Sequence, residues 1–169
     1  TGAELLRLLA GHPRMEVTVA TGDSQAGNAV ADLYPSLAAA YPELRFSSFE
    51  LEAVDGLDVV FLGLPHGASQ EIVPQLVGKV GLIVDLAADF RLADPALYPK
   101  WYGEEHQVPE LLSEAAYGLP ELFRSELAGA TLVAGPGCYP TSAALALGPL
   151  VRDVGVDPAT IVVDAASGV

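Results

Sequence analysis

A chain of 169 residues that is 51% hydrophobic carries enough apolar material for one ordinary domain with a buried core. Its 22 acidic against 8 basic residues give a formal net charge of -14, which repels nucleic-acid backbones and anionic membrane surfaces, so neither is an expected partner. A single cysteine cannot form an internal disulfide, no apolar run approaches the roughly 20 residues of a spanning helix, and the opening residues lack a signal-peptide pattern, so the expected location is the cytoplasm.

In chain order, residues 3–10 set Leu5, Leu6, Leu8 and Leu9 around Glu4 and Arg7, and Gly11 and Pro13 follow as helix stop signals. Residues 17–20 read as a short strand, ahead of a polar loop over 21–27. Residues 58–64 form a buried-strand run that stops at Pro65-His66-Gly67, before a helical stretch over 68–77 and another buried strand over 81–86. Continuous apolar strands separated by helices are the sequence image of a parallel sheet covered on both faces, so the expected fold is α/β, doubly wound and Rossmann-like. Residues 87–127 interrupt that rhythm with Pro, Tyr, Trp and charged residues, the composition of an insertion that carries short helices and shapes a site. Regularity returns with a strand over 131–134, a helix over 141–151 and a strand over 161–164. A doubly wound domain ordinarily opens with a strand and a glycine-rich turn, whereas a helix stands first here. The expected division is therefore an N-terminally incomplete dinucleotide-binding domain over 1–155, with 156–169 starting a second, α+β catalytic domain through its first strand.

The only cysteine lies in Gly135-Pro136-Gly137-Cys138-Tyr139-Pro140-Thr141, where an apolar run gives way to a helix-like one. Unpaired N–H groups at a helix start carry partial positive charge, so this is a place where a sulfur nucleophile is favoured over a small buried apolar residue. No second cysteine and no His or carboxylate cluster has the spacing of a metal site.

Six segments in order resemble the N-acetyl-gamma-glutamyl-phosphate reductase family, within the semialdehyde dehydrogenase group: residues 1–9, Leu64-Pro65-His66-Gly67, residues 85–91, Trp101-Tyr102-Gly103, residues 117–121 and residues 136–141. Ser167-Gly168-Val169 resembles the opening of a further glycine-rich motif. Gly135 departs from the family's asparagine and Ala166 from a common basic residue. The resemblance implies an NADP-dependent enzyme of arginine biosynthesis, a homo-oligomer at full length, that reduces a small acyl phosphate through a thioester on Cys138. It also implies cofactor contacts from Thr1, Gly2, Leu64, Pro65, His66, Gly67, Ser167 and Gly168. Substrate contacts would come from Arg91, Pro136, Gly137, Tyr139 and Thr141, and the catalytic histidine from beyond Val169, so that these residues alone do not complete the cycle. Relatives acting on aspartyl or acetyl-aminoadipyl phosphate share this chemistry. A noncatalytic dinucleotide-binding domain and a cysteine hydrolase are the readings of other classes.

Three further readings come from the residues themselves. Hydroxyls and N–H groups of Thr21, Ser24 and Gly27 follow the strand where dinucleotide ribose is gripped and suit a 2′-phosphate, whereas Asp23 favours NAD. Arg91 suits bidentate capture of a carboxylate or phosphate, or an ordinary surface pair with Asp89. Of the histidines, His12 reads as a solvated helix terminus, His66 as equally a cofactor-side group or a plain turn residue, and His106 as a satisfied loop residue, with catalytic base as the minor alternative.

Overall fold

The computed structural model describes residues 1–166. Helix α1 (Gly2–Ala10) buries Leu6 against Val30, Leu37 and Tyr41, and the Tyr41 hydroxyl donates to the Leu6 carbonyl at 2.8 Å. Strand β1 (Ala20–Thr21), helix α2 (Val30–Leu33) and strand β2 (Phe46–Ser47) surround this small core, and β1 pairs parallel with β2. The strand expected over 17–20 thus shrinks to its last residue plus Thr21. Only two residues find a ladder partner there, and Val17 contributes its side chain to the small core.

After helix α3 (Leu51–Val54), strand β3 (Val59–Leu62), helix α4 (Ser69–Leu76) and strand β4 (Leu82–Asp85) follow the expected strand, turn, helix, strand order. Gly81 lets β4 start close against its neighbour: a Cβ there would sit 2.7 Å from the Asp58 carbonyl oxygen. Residues 87–127 contain helix α5 (Tyr98–Trp101), strand β5 (Ala115–Tyr117) and helix α6 (Pro120–Leu127), and strand β6 (Leu132–Ala134) comes next. The segment read as an insertion therefore also supplies a strand of the main sheet. Ala-Ala-Tyr is too short and too weakly β-prone to stand out in the sequence.

The main sheet is wholly parallel in the order β3-β4-β6-β5, so the fold is α/β and Rossmann-like, with its described strands in two sheets. Its register aligns Leu62, Asp85, Ala134 and Tyr117 in one row at the C-terminal ends of the four strands. Ligands of open parallel sheets bind along that edge. Leu62, Val73, Leu76, Ile83 and Leu132 form the centre of the main core beneath it.

Helix α7 (Cys138–Pro149) begins three residues earlier than expected. Gly137 is its N-cap, and Pro140 falls in the first turn, where its missing N–H costs no intrahelical bond. Pro149 cannot continue the i to i−4 ladder, and a wider turn over Leu150–Val154 ends at Gly155 in the left-handed conformation, φ 77°. The strand expected over 161–164 finds no pairing partner among the described residues, and Val162 and Val163 are exposed. Among the described residues no helix is long and apolar enough to cross a membrane.

Candidate active site

Four chain segments meet at the C-terminal edge of the main sheet: the turn after β3, the loop after β4, the end of β5, and the link from β6 to α7. Cys138 is the first residue of α7 and is exposed. By position, the N–H groups of Cys138 and Tyr139 have no intrahelical acceptor, while Thr141 N–H returns to the Gly137 carbonyl at 3.0 Å. Cys138 lines an open cleft of about 330 Å³ together with Arg91, Leu92, Tyr102, Tyr117, Gly137, Tyr139 and Pro140. Of the expected substrate contacts, Arg91, Gly137 and Tyr139 line this cleft and Pro136 lies in the link preceding it. The Thr141 hydroxyl donates to the Gly137 carbonyl at 2.8 Å, which makes it a brace for the helix start and takes its proton out of play for a substrate.

Arg91 differs from the expected bidentate clamp. Its Nε donates to the Gly135 carbonyl at 2.7 Å and its Nη2 to the Leu86 carbonyl at 2.9 Å, so that edge of the guanidinium ties the loop after β4 to the link before Cys138. Nη1 has no hydrogen-bond partner among the described residues and lies beside Gly137, 3.3 Å from where a Cβ would stand. Gly135 is similarly enclosed: its N–H donates to the Asp85 carbonyl at 2.7 Å, and a Cβ would meet that oxygen at 3.1 Å.

Asp89 does not form a surface pair with Arg91; it is fully buried. Its Oδ1 accepts from the Gly67 N–H at 2.8 Å and faces His66 Nδ1 at 2.6 Å, while Oδ2 accepts from the Ser69 N–H at 3.0 Å. Its carbonyl oxygen accepts from the Tyr98 hydroxyl and from His106 Nε2, both at 2.7 Å. Burial pushes the Tyr98 phenol up to about 12, so it remains a donor across the working pH range. His106 also accepts from the Val108 N–H at Nδ1 and packs against Tyr98 and Phe90, so both ring nitrogens are engaged and the base role is overturned. Beside this group, Asp85 is buried. Its Oδ1 accepts from the Ser69 hydroxyl and the Ala87 N–H, whereas Oδ2 has no partner among the described residues. Burial raises its pKa above the ordinary carboxylate value, against the lowering effect of those two bonds.

The expected cofactor contacts divide in the same way. Thr1, the N-cap of α1, lies beside the end of β3, its Cγ2 3.9 Å from a Cβ built on Gly63, and Gly2 has open space around it. The first N–H groups of α1 are donors of the kind that suits a pyrophosphate. Leu64, Pro65 and His66 form the turn after β3, but the Gly67 N–H is taken by Asp89. Thr21 and Ser24 are exposed, whereas the Gly27 N–H donates to the Phe46 carbonyl at 2.8 Å and is closed to a 2′-phosphate. His12 is exposed and accepts from the Arg14 N–H at 3.3 Å. Ser167 and Gly168 lie outside the described residues. Among the described residues no group of three His, Cys, Asp or Glu side chains is placed to hold a metal ion.

Leu92, Tyr102 and Tyr117 were not legible as site residues. Tyr117 reaches the cleft only because β5 pairs with β6, and the single available signal was its membership of the Tyr-Gly-Leu-Pro-Glu segment.

Residues 1–130 match the family described as semialdehyde dehydrogenase, NAD binding domain. The chain is 48% identical over 169 residues to a protein of Pseudomonas putida (strain W619) named N-acetyl-gamma-glutamyl-phosphate reductase, covering 100% of this chain and 49% of the relative. A protein of the same name in Pseudomonas entomophila (strain L48) is 48% identical with the same coverage. Another in Cellvibrio japonicus (strain Ueda107) is 48% identical over 168 residues, 99% of this chain and 48% of the relative. The chain spans about half the length of the curated relatives it matches.

Proposed function

The chain belongs to the semialdehyde dehydrogenase NAD-binding domain family, and from that premise we propose that it forms the dinucleotide-binding and nucleophile-bearing part of an NADP-dependent N-acetyl-glutamyl-phosphate reductase. The observation that carries this reading is the exposed sulfur of Cys138 at the start of α7, in a cleft whose lining includes Arg91, on the ligand-binding edge of a parallel sheet.

The Cys138 thiolate attacks the acyl carbon, the bond from that carbon to the phosphate oxygen breaks, and phosphate departs with the electron pair, leaving a thioester. A dinucleotide held by Thr1, Gly2 and the turn 64–66 would supply the hydride that this thioester carbon accepts. The carbon–sulfur bond then breaks, releasing the semialdehyde and restoring the thiolate. The tetrahedral oxyanion formed in each half is met by the N–H groups of Cys138 and Tyr139, donors that stand ready where negative charge develops. Arg91 Nη1 supplies positive charge for the leaving phosphate while the rest of its guanidinium keeps the two loops in register. Thr1, Gly2, the turn 64–66, Thr21 and Ser24 hold the dinucleotide, the last two offering hydroxyls to a 2′-phosphate. The reading takes the general acid–base to be a histidine outside the residues that line the Cys138 cleft. The reading includes a cytoplasmic homo-oligomer.

The test is NADPH oxidation by the intact gene product, followed at 340 nm with N-acetyl-glutamyl, acetyl-aminoadipyl and aspartyl phosphates as rival substrates. Turnover fastest with the first supports the proposal; faster turnover with either of the others reassigns the substrate, and none with any removes the reductase reading.

A further inference from the structure

We infer that Asp89 is a positioning residue that sets which nitrogen of His66 is offered to the dinucleotide. The inference rests on the functional reading above for the identity of the ligand. The side chain of Asp89 is fully buried between two loops, and its three contacts there all fall on the turn after β3 and the start of α4. A carboxylate is an acceptor on both oxygens, so the amides of Gly67 and Ser69 and the Nδ1 of His66 are held from one rigid point. That point is itself braced, since the Asp89 carbonyl oxygen receives the Tyr98 hydroxyl and the His106 ring.

The consequence falls on His66. With Nδ1 donating to Asp89 at 2.6 Å, the neutral ring must keep its lone pair on Nε2. The ring stacks on Tyr102 with centroids 4.8 Å apart and an interplanar angle of 34°, which fixes its plane. Its side chain is 35% exposed, and Nε2 has no hydrogen-bond partner among the described residues. An acceptor nitrogen held in this way suits a ligand group that donates, and the donors a nicotinamide dinucleotide offers include its carboxamide NH₂ and its ribose hydroxyls. Tyr102 also lines the Cys138 cleft, so the ring stands at the junction between the dinucleotide side and the sulfur. The role is the orientation of a cofactor contact, as a buried carboxylate behind an imidazole fixes both tautomer and ring direction.

The experiment combines ¹⁵N NMR of the His66 ring with NADPH titration of the intact gene product, as wild type and as Asp89→Asn, His66→Asn and His66→Gln. Wild type should show the Nδ1–H form. In Asp89→Asn one of the two acceptor oxygens becomes a donor that faces a backbone N–H, so the amide no longer holds Nδ1–H from a fixed point, the Nε2–H form should become populated, and the NADPH Kd should rise about tenfold, the scale of one mispaired hydrogen bond. His66→Asn keeps an amide near the Nδ1 position and should weaken NADPH by about the same factor. His66→Gln, whose amide oxygen reaches the Nε2 position, should lose about threefold or less. These two variants judge the idea even where Asp89→Asn does not fold. An unchanged tautomer and Kd in Asp89→Asn, or a wild-type ring in the Nε2–H form, overturns the inference. Wild type that fails to bind NADPH overturns the functional reading and the ligand half of this one, while the tautomer comparison still decides whether Asp89 sets the ring.

Discussion

At Asp89 each oxygen has a partner, the side chain is sealed from water, and the bonds run to five other residues on three neighbouring segments. At Cys138, some loops away on the same sheet edge, the reactive sulfur is exposed and the first amides of the helix are open, while the hydroxyls of Thr141 and Ser142 brace the Gly137 and Cys138 carbonyls. One region is over-determined and the other is left incomplete. A group that only orients its neighbours gains from having no freedom, whereas a nucleophile must meet a substrate and leave room for charge to form. Arg91 joins the two regions, because it is tethered through Nε and Nη2 and open through Nη1.

The sharpest way to break this contrast is Cys138→Ser. Being exposed, the substitution should leave stability within about 0.5 kcal/mol, yet it should lower NADPH-dependent turnover by at least about 10³-fold. Near-normal turnover in a steady-state assay would falsify covalent catalysis at this position. Next comes Arg91→Ala, which leaves the Gly135 and Leu86 carbonyls without their charged donor and should cost about 2–3 kcal/mol in a urea melt. Arg91→Lys should recover less than half of that, since an ammonium cannot reproduce the fork. Equal stability of the Ala variant and wild type would show that the open side does not depend on the tether.

Asp85 tests the buried side through pH. Its folded pKa lies above the ordinary value of 3.8 because of burial, so the native state retains a proton that the unfolded chain has released. The native state then binds more protons across that interval, and stability falls as pH rises from about 4 through the folded pKa. Asp85→Asn removes the titrating group and should flatten this fall. A steeper acid-side slope in the variant would reverse the assignment. The smallest effect is expected from Gly135→Ala, whose Cβ would stand 3.0 Å from Leu86 Cδ2 and 3.1 Å from the Asp85 oxygen. It should cost about 1 kcal/mol by thermal unfolding, and no loss would mean that the link to α7 yields freely.

Cys138 is legible in the sequence because its surroundings are local: glycines, prolines and a helix start lie within a few residues of it. The turn 64–67 was visible for the same reason, ending a buried strand. Asp89 was not, since its meaning comes from His66, Gly67 and Ser69, about twenty positions earlier in the chain. At Gly27 and Thr141 the residue type shows that a hydrogen can be given, while only the fold shows that it has been given to Phe46 or Gly137. Strand β5 was hidden in an apparent insertion because three residues of weak propensity become a strand only beside β6.

By itself the amino-acid order determined the α/β alternation, the parallel main sheet and the position of the sulfur, all of which rest on short-range periodicity and turn chemistry. Tertiary structure decided which polar groups remain free for a ligand, that a tyrosine from a distant segment reaches the cleft, and that a buried carboxylate stands behind His66. Hydrogen bonds between residues far apart in sequence are fixed by strand order and register, and those emerge only when the whole chain packs.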